Sequence, residues 1–333
     1  MKLTMQAIIS KCKDMLSISN NRPLFLYRVH HYLKRNVSQK TAQRYAKNNK
    51  LFYENKNIDV LWLETYDGSN QVCHPDIAYW NNEYWLVATP YPYGLEEYEN
   101  PSLFHGVNIN SLIGIDANPI AFPGRKGYGS HLSDPCLYKH DDTLYCFYRD
   151  TINYGEKIEN RICYKMIERD GVTDGEQLLV SSFVDGLLSP SVIQYRDSTF
   201  LLLVSSVDGN LVFKGYSLTK ELNICSEFSV DVCGKEQEWD IWHFDLKVKN
   251  DSLVEGLFLM REKNNKGNFK LKKANLDIET RKLFFSKDVT IPEEISTEIL
   301  FPYKSCIIPG VYDKAIMSFR DKNSVYVLKV IDI

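Results

Sequence analysis

The feature that most constrains this chain is a motif that returns five times. Ser133-Asp134-Pro135-Cys136-Leu137-Tyr138, followed after a polar turn by Thr143-Leu144-Tyr145-Cys146-Phe147-Tyr148-Arg149, is one copy. The others open at His74-Pro75-Asp76-Ile77, Ser189-Pro190-Ser191-Val192, Trp242-His243-Phe244-Asp245-Leu246 and Phe301-Pro302-Tyr303, each followed by a second apolar run. With the proline or its counterpart as ruler, positions 75, 135, 190, 244 and 302 lie 60, 55, 54 and 58 residues apart. A period of that size belongs to propeller blades or solenoid units.

Inside each repeat a short strand meets a polar turn, such as Trp80-Asn81-Asn82-Glu83 or Lys139-His140-Asp141-Asp142, and then a more apolar strand. Turn residues of this kind between β-rich runs mark hairpins. About 30 residues per repeat remain for two more strands, giving four antiparallel strands per blade. Five units of about 57 residues account for the 283 residues from 51 to 333. The expectation is an all-β, five-bladed β-propeller with first strands beginning near residues 72, 132, 187, 241 and 300.

Residues 1–50 read differently. Leu3, Ala7, Ile8, Cys12, Met15 and Leu16 recur at helical intervals, Pro23 opens a second helical pattern, and Ser38 is a good N-cap for a third. This segment holds eleven Lys and Arg against the single acid Asp14, about +10, so the body carries about −13 under a net charge of −3. A helical cap packed on the propeller is one reading. A basic surface for an anionic membrane or a protein partner is the other, and nucleic acid is not favoured. Deleting residues 1–35 is expected to leave the propeller folded. The eight cysteines show no CxxC pair and read as reduced core residues. Lys11, Lys13 and Asp14 break the apolar stretch at the N-terminus, so neither a signal peptide nor a membrane span is expected. The localisation expected is cytoplasmic at synthesis, with a phage virion as the other setting.

A propeller lines its central channel with the first strand of every blade, so equivalent positions converge at one mouth. His74, Asp134, Ser189, His243 and Phe301 form that ring, with Asp76, Cys136, Ser191, Asp245 and Tyr303 two positions along each strand. Two imidazoles, three carboxylates and two hydroxyls at one mouth suit a ligand better than a core. A polar, water-filled channel is the plain alternative.

These openings, above all His-Pro-Asp-Ile, Ser-Asp-Pro-Cys-Leu and Ser-Pro-Ser-Val, resemble the five-bladed propellers of glycoside hydrolase families 43 and 32 over residues 59–320. The run Tyr84–Pro92 with Tyr98-Glu99-Asn100-Pro101-Ser102-Leu103 also resembles the propeller of phage tail receptor-binding proteins. The hydrolase resemblance implies an Asp base in the first blade, a tuning Asp in the second and a Glu acid in the third. This chain has His74, Asp134 and Ser189 there, and only Asp134 matches. Serine does not replace a raised-pKa glutamate as proton donor. Asp76, Glu99, Asp240 and Asp245 are the acids near enough to fill the vacancies, with Glu99 the best placed. Asp134 and Glu99 are therefore the candidate catalytic pair.

The same resemblance implies a calcium ion and a histidine in the channel, but His74 and His243 lie too far apart in sequence for a local metal motif, and a histidine paired with a carboxylate is preferred. No metal or other cofactor is assigned. Carbohydrate is the expected partner, because sugar C–H faces stack on rings while their hydroxyls bond to polar groups. Trp242 and Tyr93 are the preferred stacking residues, joined at the site by His74, Asp76, Ser189, His243, Asp245 and Tyr303. Arg149, Arg261 and Arg320 suit an anionic sugar or the neighbouring Asp150, Glu262 and Asp321, and local pairing is the expected use. Three functions stay open: a glycan-binding propeller, a glycan-processing enzyme with rearranged acids, and a scaffold docked through its basic arm.

Overall fold

The computed structural model describes residues 22–34, 37–122, 129–168, 171–207, 210–234, 236, 238–250, 253–265, 267–291 and 299–333. The helix expected over 3–16, with Cys12, lies outside them. Five sheets stand around one axis. Blade one is β1 (Val72–Trp80), β2 (Glu83–Pro90), β3 (Ser102–Gly106) and β4 (Ile113–Gly114). Blade two is β5 (His131–His140), β6 (Thr143–Asn153) and β7 (Ile158–Glu168), whose outer edge takes β8 (Gly171–Val172) and β9 (Gln177–Ser182). Blade three is β10 (Gly186–Tyr195), β11 (Ser198–Val207), β12 (Asn210–Leu218) and β13 (Ile224–Ser229).

Blade four is β15 (Trp239–Asn250), β16 (Leu253–Glu262), β17 (Phe269–Asp277) and β18 (Lys282–Val289), with β14 (Asp231–Cys233) parallel at its edge. Blade five is β19 (Ile299–Ile308), β20 (Val311–Asp321) and β21 (Tyr326–Asp332). Its outer position is taken by Leu61, whose amide donates to the Leu328 carbonyl at 2.8 Å, so the start and end of the propeller share one blade. Blade count and strand direction match the period in the sequence. The hairpin signal was equally direct: Asn81 and Asn82 take φ of 51° and 62°, the two left-handed residues of the tight turn that best fits strand twist.

The first strand of each blade carries a β-bulge at the motif. His74, Asp134 and Ser189, each followed by proline, have φ of 51°, 51° and 49°. Register breaks there between Cys73 and Asp76, Ser133 and Cys136, and Leu188 and Ser191. Non-glycine residues pay for this conformation, of order 1–3 kcal/mol each.

Helices α1 (Arg22–Lys34) and α2 (Gln39–Asn55) pack on the seam between blades one, four and five. Tyr27, Ala42 and Tyr53 enter one core with Leu257, Met317 and Phe319, and the Tyr53 hydroxyl donates to Asp321 Oδ2 at 2.8 Å. The boundary expected at residue 50 falls inside α2, which carries its burial on to Tyr53. Ser38 precedes α2 as expected, although its hydroxyl meets Thr41 rather than a backbone amide. Five of the seven described cysteines are buried and all seven are free, while Cys225 is exposed and Cys233 half-buried.

Because Tyr27 is fully enclosed, Tyr27→Ala should lower unfolding stability by roughly 3 kcal/mol or more. Urea unfolding followed by circular dichroism measures it. An unchanged midpoint would mean that α1 contributes nothing to the fold.

Candidate functional site

The bulges turn the motif side chains into the axis, where they form two layers. In the upper layer His74 Nε2 lies 3.4 Å from Asp134 Oδ1, and His243 Nδ1 lies 3.5 Å from the same oxygen. Ser189 Oγ is 2.5 Å from His243 Nδ1. The Tyr303 ring packs on both imidazoles, with centroids at 5.0 and 5.2 Å. On the far side of His74, Nδ1 meets Thr89 Oγ1 at 3.1 Å and Glu99 Oε1 at 3.3 Å. His74, Asp134, Ser189, His243 and Glu99 are all buried.

The expected ring is therefore assembled in four of its five members. The fifth is Tyr303 and not Phe301: β19 bulges at Tyr303-Lys304, between Pro302 and Ser305, so the ruler placed on Pro302 was out of register. Phe301 instead packs on Phe269 under the Arg320 guanidinium. Lys304, which the sequence reading missed, is enclosed in the channel and donates to the Pro135 carbonyl at 3.2 Å.

The lower layer does other work. Lys247 Nζ sits 2.7 Å from Asp76 Oδ1 and 3.2 Å from Asp245 Oδ1. Asp76 Oδ2 accepts from the Leu137 amide at 2.6 Å, and Asp245 Oδ2 accepts from the Ile307 amide at 2.8 Å. The oxygens of Asp76 and Asp245, expected to meet a ligand, are thus occupied in tying blades one, two, four and five together. Tyr93 is likewise displaced from the mouth. It is fully buried beneath the helices, against Tyr27 and Tyr45.

Burial, with Asp134 nearby, pushes the Glu99 carboxyl well above the ordinary range, and Arg149 offsets only part of this. Against the cost of its own burial, Asp134 is held well below the usual carboxylate range by His74, Arg149 and His243. Burial lowers both imidazoles, His243 to about 3. Arg149 Nε lies 3.5 Å from Asp134 Oδ2 and 3.0 Å from Ser133 Oγ, so it reaches the channel cluster. Arg261 and Arg320 differ from expectation, lying over the rings of Trp242 (3.5 Å) and Phe301 (4.4 Å).

Beside the upper layer a cavity of about 170 Å³ is lined by Trp242, Phe301, Tyr303 and Tyr326 with Arg261 and Arg320. Trp242 meets His243 edge to face at 5.3 Å, and Tyr303 forms the shared wall between cavity and cluster. Of the residues the sequence reading named for the site, the structure brings Trp242 and Tyr303 to this cavity. It sets His74, Asp134, Ser189, His243 and Glu99 immediately behind.

No family model matches the sequence, and no curated protein matches it. Solved structures do. An N-acetylgalactosamine deacetylase from F. plautii in complex with blood group B trisaccharide is 14% identical over 82% of this chain and 90% of its own, with a TM-score of 0.65. An endo-arabinanase of family 43 from Bacillus licheniformis is 13% identical over 81% of this chain and 96% of its own, TM-score 0.55. The chain has the five-bladed glycoside-hydrolase-type fold. A further example of that propeller, an endo-1,4-β-xylanase from Bacteroides thetaiotaomicron, is 14% identical over 82% of this chain and 92% of its own, TM-score 0.58. At these identities the likeness is one of fold, and the chemistry rests on the residues described above.

His131 gives a test of the electrostatics. Burial, then Arg149, lower its pKa to about 4. That lies below the unfolded value of about 6.5, so the unfolded chain takes up the extra proton and stability falls as the pH drops from 6.5 toward 4. The cost at pH 5 is about 2 kcal/mol. His131→Gln should reduce the stability lost between pH 7 and 5 by that amount in denaturant titrations. Equal losses in parent and variant would contradict the assignment.

Proposed function

We propose that this propeller recognises a carbohydrate at the mouth of its channel. The observation that carries the reading is the cavity of about 170 Å³, sized for a single sugar ring, with aromatic walls and two guanidinium groups. Rings stack on the C–H faces of a sugar, and the Arg261 and Arg320 N–H groups donate to hydroxyl or anionic substituents. Fold neighbours that act on arabinan and xylan, and one solved with a trisaccharide, support a sugar as the ligand class.

The geometry speaks against cleavage of a glycosidic bond by Glu99 and Asp134. Burial pushes the Glu99 carboxyl up while its neighbours hold Asp134 down, a separation of the kind such chemistry needs. A glycoside hydrolase, however, keeps the scissile bond between its two carboxyls. Here the His74 ring fills that interval, with Glu99 at 3.3 Å from one nitrogen and Asp134 at 3.4 Å from the other. A second reading, removal of a substituent from the bound sugar, is favoured by the buried His74–Asp134–His243 trio and by the likeness to a sugar deacetylase.

The test is a glycan array followed by calorimetry with the best ligand. Trp242→Ala and Tyr303→Ala should each weaken binding roughly tenfold, about 1.4 kcal/mol, without loss of fold. Failure to bind any sugar, or full affinity in both variants, would sink the reading. Release of reducing sugar from an oligosaccharide by the parent but not by Glu99→Gln would instead restore the glycosidase reading.

A further inference from the structure

We propose that His74, Asp134 and His243 bind one divalent transition-metal ion of the zinc class. The hydrogen bonds these groups make orient the two imidazoles but leave two buried atoms unaccounted for. Asp134 Oδ1 is buried without a hydrogen-bond partner, although two imidazole nitrogens lie 3.4 and 3.5 Å away. His243 Nε2 is also buried without one. An unpaired buried carboxylate oxygen is expensive, and three blades each adopt a strained, left-handed or bulged backbone to bring these side chains together.

A metal ion resolves the arrangement. Ligand atoms held about 2.0–2.2 Å from a tetrahedral ion stand roughly 3.3–3.6 Å apart, the separation found between His74 Nε2 and Asp134 Oδ1. The ligand atoms of all three residues lie within 4.8 Å of one another. Two imidazoles and one carboxylate form the three-ligand set of catalytic zinc sites, which leaves a position for water or ligand. Behind His74, Glu99 and Thr89 hold Nδ1, the carboxylate–histidine–metal relay that fixes the ring and its tautomer. On His243 the Ser189 hydroxyl engages Nδ1, so Nε2, buried without a hydrogen-bond partner, is the nitrogen left for the ion.

The charges nearby are compatible with a dication. Arg149 addresses the other oxygen of Asp134, Lys304 is engaged with the Pro135 carbonyl, and Glu99 lies across His74. The donor set also selects the ion. Calcium takes six to eight oxygen ligands, whereas imidazole nitrogens suit zinc, nickel, copper or iron.

This proposal does not need the glycan reading, because the metal alone is the probe. The untagged full chain is stripped with a chelator and titrated with Zn²⁺ by calorimetry, and with Co²⁺ by visible absorption. One equivalent per chain and the intense d–d bands of a four- or five-coordinate cobalt site are expected, with no competition from excess Ca²⁺. Asp134→Asn and His243→Gln should weaken Zn²⁺ binding more than about 100-fold, and Glu99→Gln about 10–100-fold. His140→Gln, on the outer part of β5, should bind as the parent does. Less than stoichiometric binding by the parent, an octahedral cobalt spectrum, displacement by Ca²⁺, or parental affinity in Asp134→Asn would each overturn it. The parent's stoichiometry and spectrum decide the matter even if a variant fails to fold.

Discussion

A ring of wedges holds its axis only if it is closed, and here closure rests on the Leu61 amide donating to the Leu328 carbonyl at 2.8 Å. Leu61 and Leu63 then enter one apolar cluster with Ile77, Phe104, Ile316 and Leu328, so the seam between blades one and five is packed as well as hydrogen-bonded. His74 and Tyr303 sit on the two sides of that seam at 5.0 Å. Opening it would separate the ring that shields the upper polar layer. The helices reinforce the same place, because Tyr53 reaches Asp321 at the end of β20. The N-terminal helices are therefore bound up with the geometry of the mouth, whatever their basic residues meet outside.

The bulge is the device that converts a repeated strand into a site. A regular strand alternates its side chains between faces, but an inserted residue lets successive positions address the axis. That costs left-handed backbone at His74, Asp134 and Ser189, before proline in each case, and proline disfavours compact conformations in the residue preceding it. Strain of this kind persists where the surroundings over-determine it, and it clusters at functional sites. Here the surroundings are the apolar second strands, such as Leu201–Val204, which are buried throughout.

The period, the turn residues and the strand texture are local signals, and they made blade number, blade boundaries and the membership of His74, Asp134, Ser189 and His243 readable from the sequence. What was unreadable depends on register between distant strands. Phe301-Pro302 imitates the motif, yet the bulge in β19 comes at Tyr303-Lys304 and moves Tyr303 into the ring. Asp76 looked like a ligand residue because its partner, Lys247, is 171 residues away. Tyr93 lies in a Pro/Gly-flanked loop that a mouth would suit, but its burial depends on where the helical cap packs, and the helical pattern names no blade for it. The reach of Arg149 to Asp134 was hidden for the same reason, since a strand-end arginine beside an aspartate looks locally satisfied.

The two layers of the axis differ in how far their polar groups are satisfied, and that difference locates the chemistry. In the lower layer two carboxylates share one ammonium and accept backbone amides, so all four carboxylate oxygens have partners. Such an arrangement is costly to bury but complete, and its use is to fix the angle between blades. The upper layer is just as buried, yet it leaves Asp134 Oδ1 and His243 Nε2 without partners. A network that only held blades together would be cheaper fully paired or apolar. A layer left incomplete directly behind an aromatic cavity is one whose missing partner comes from outside the chain.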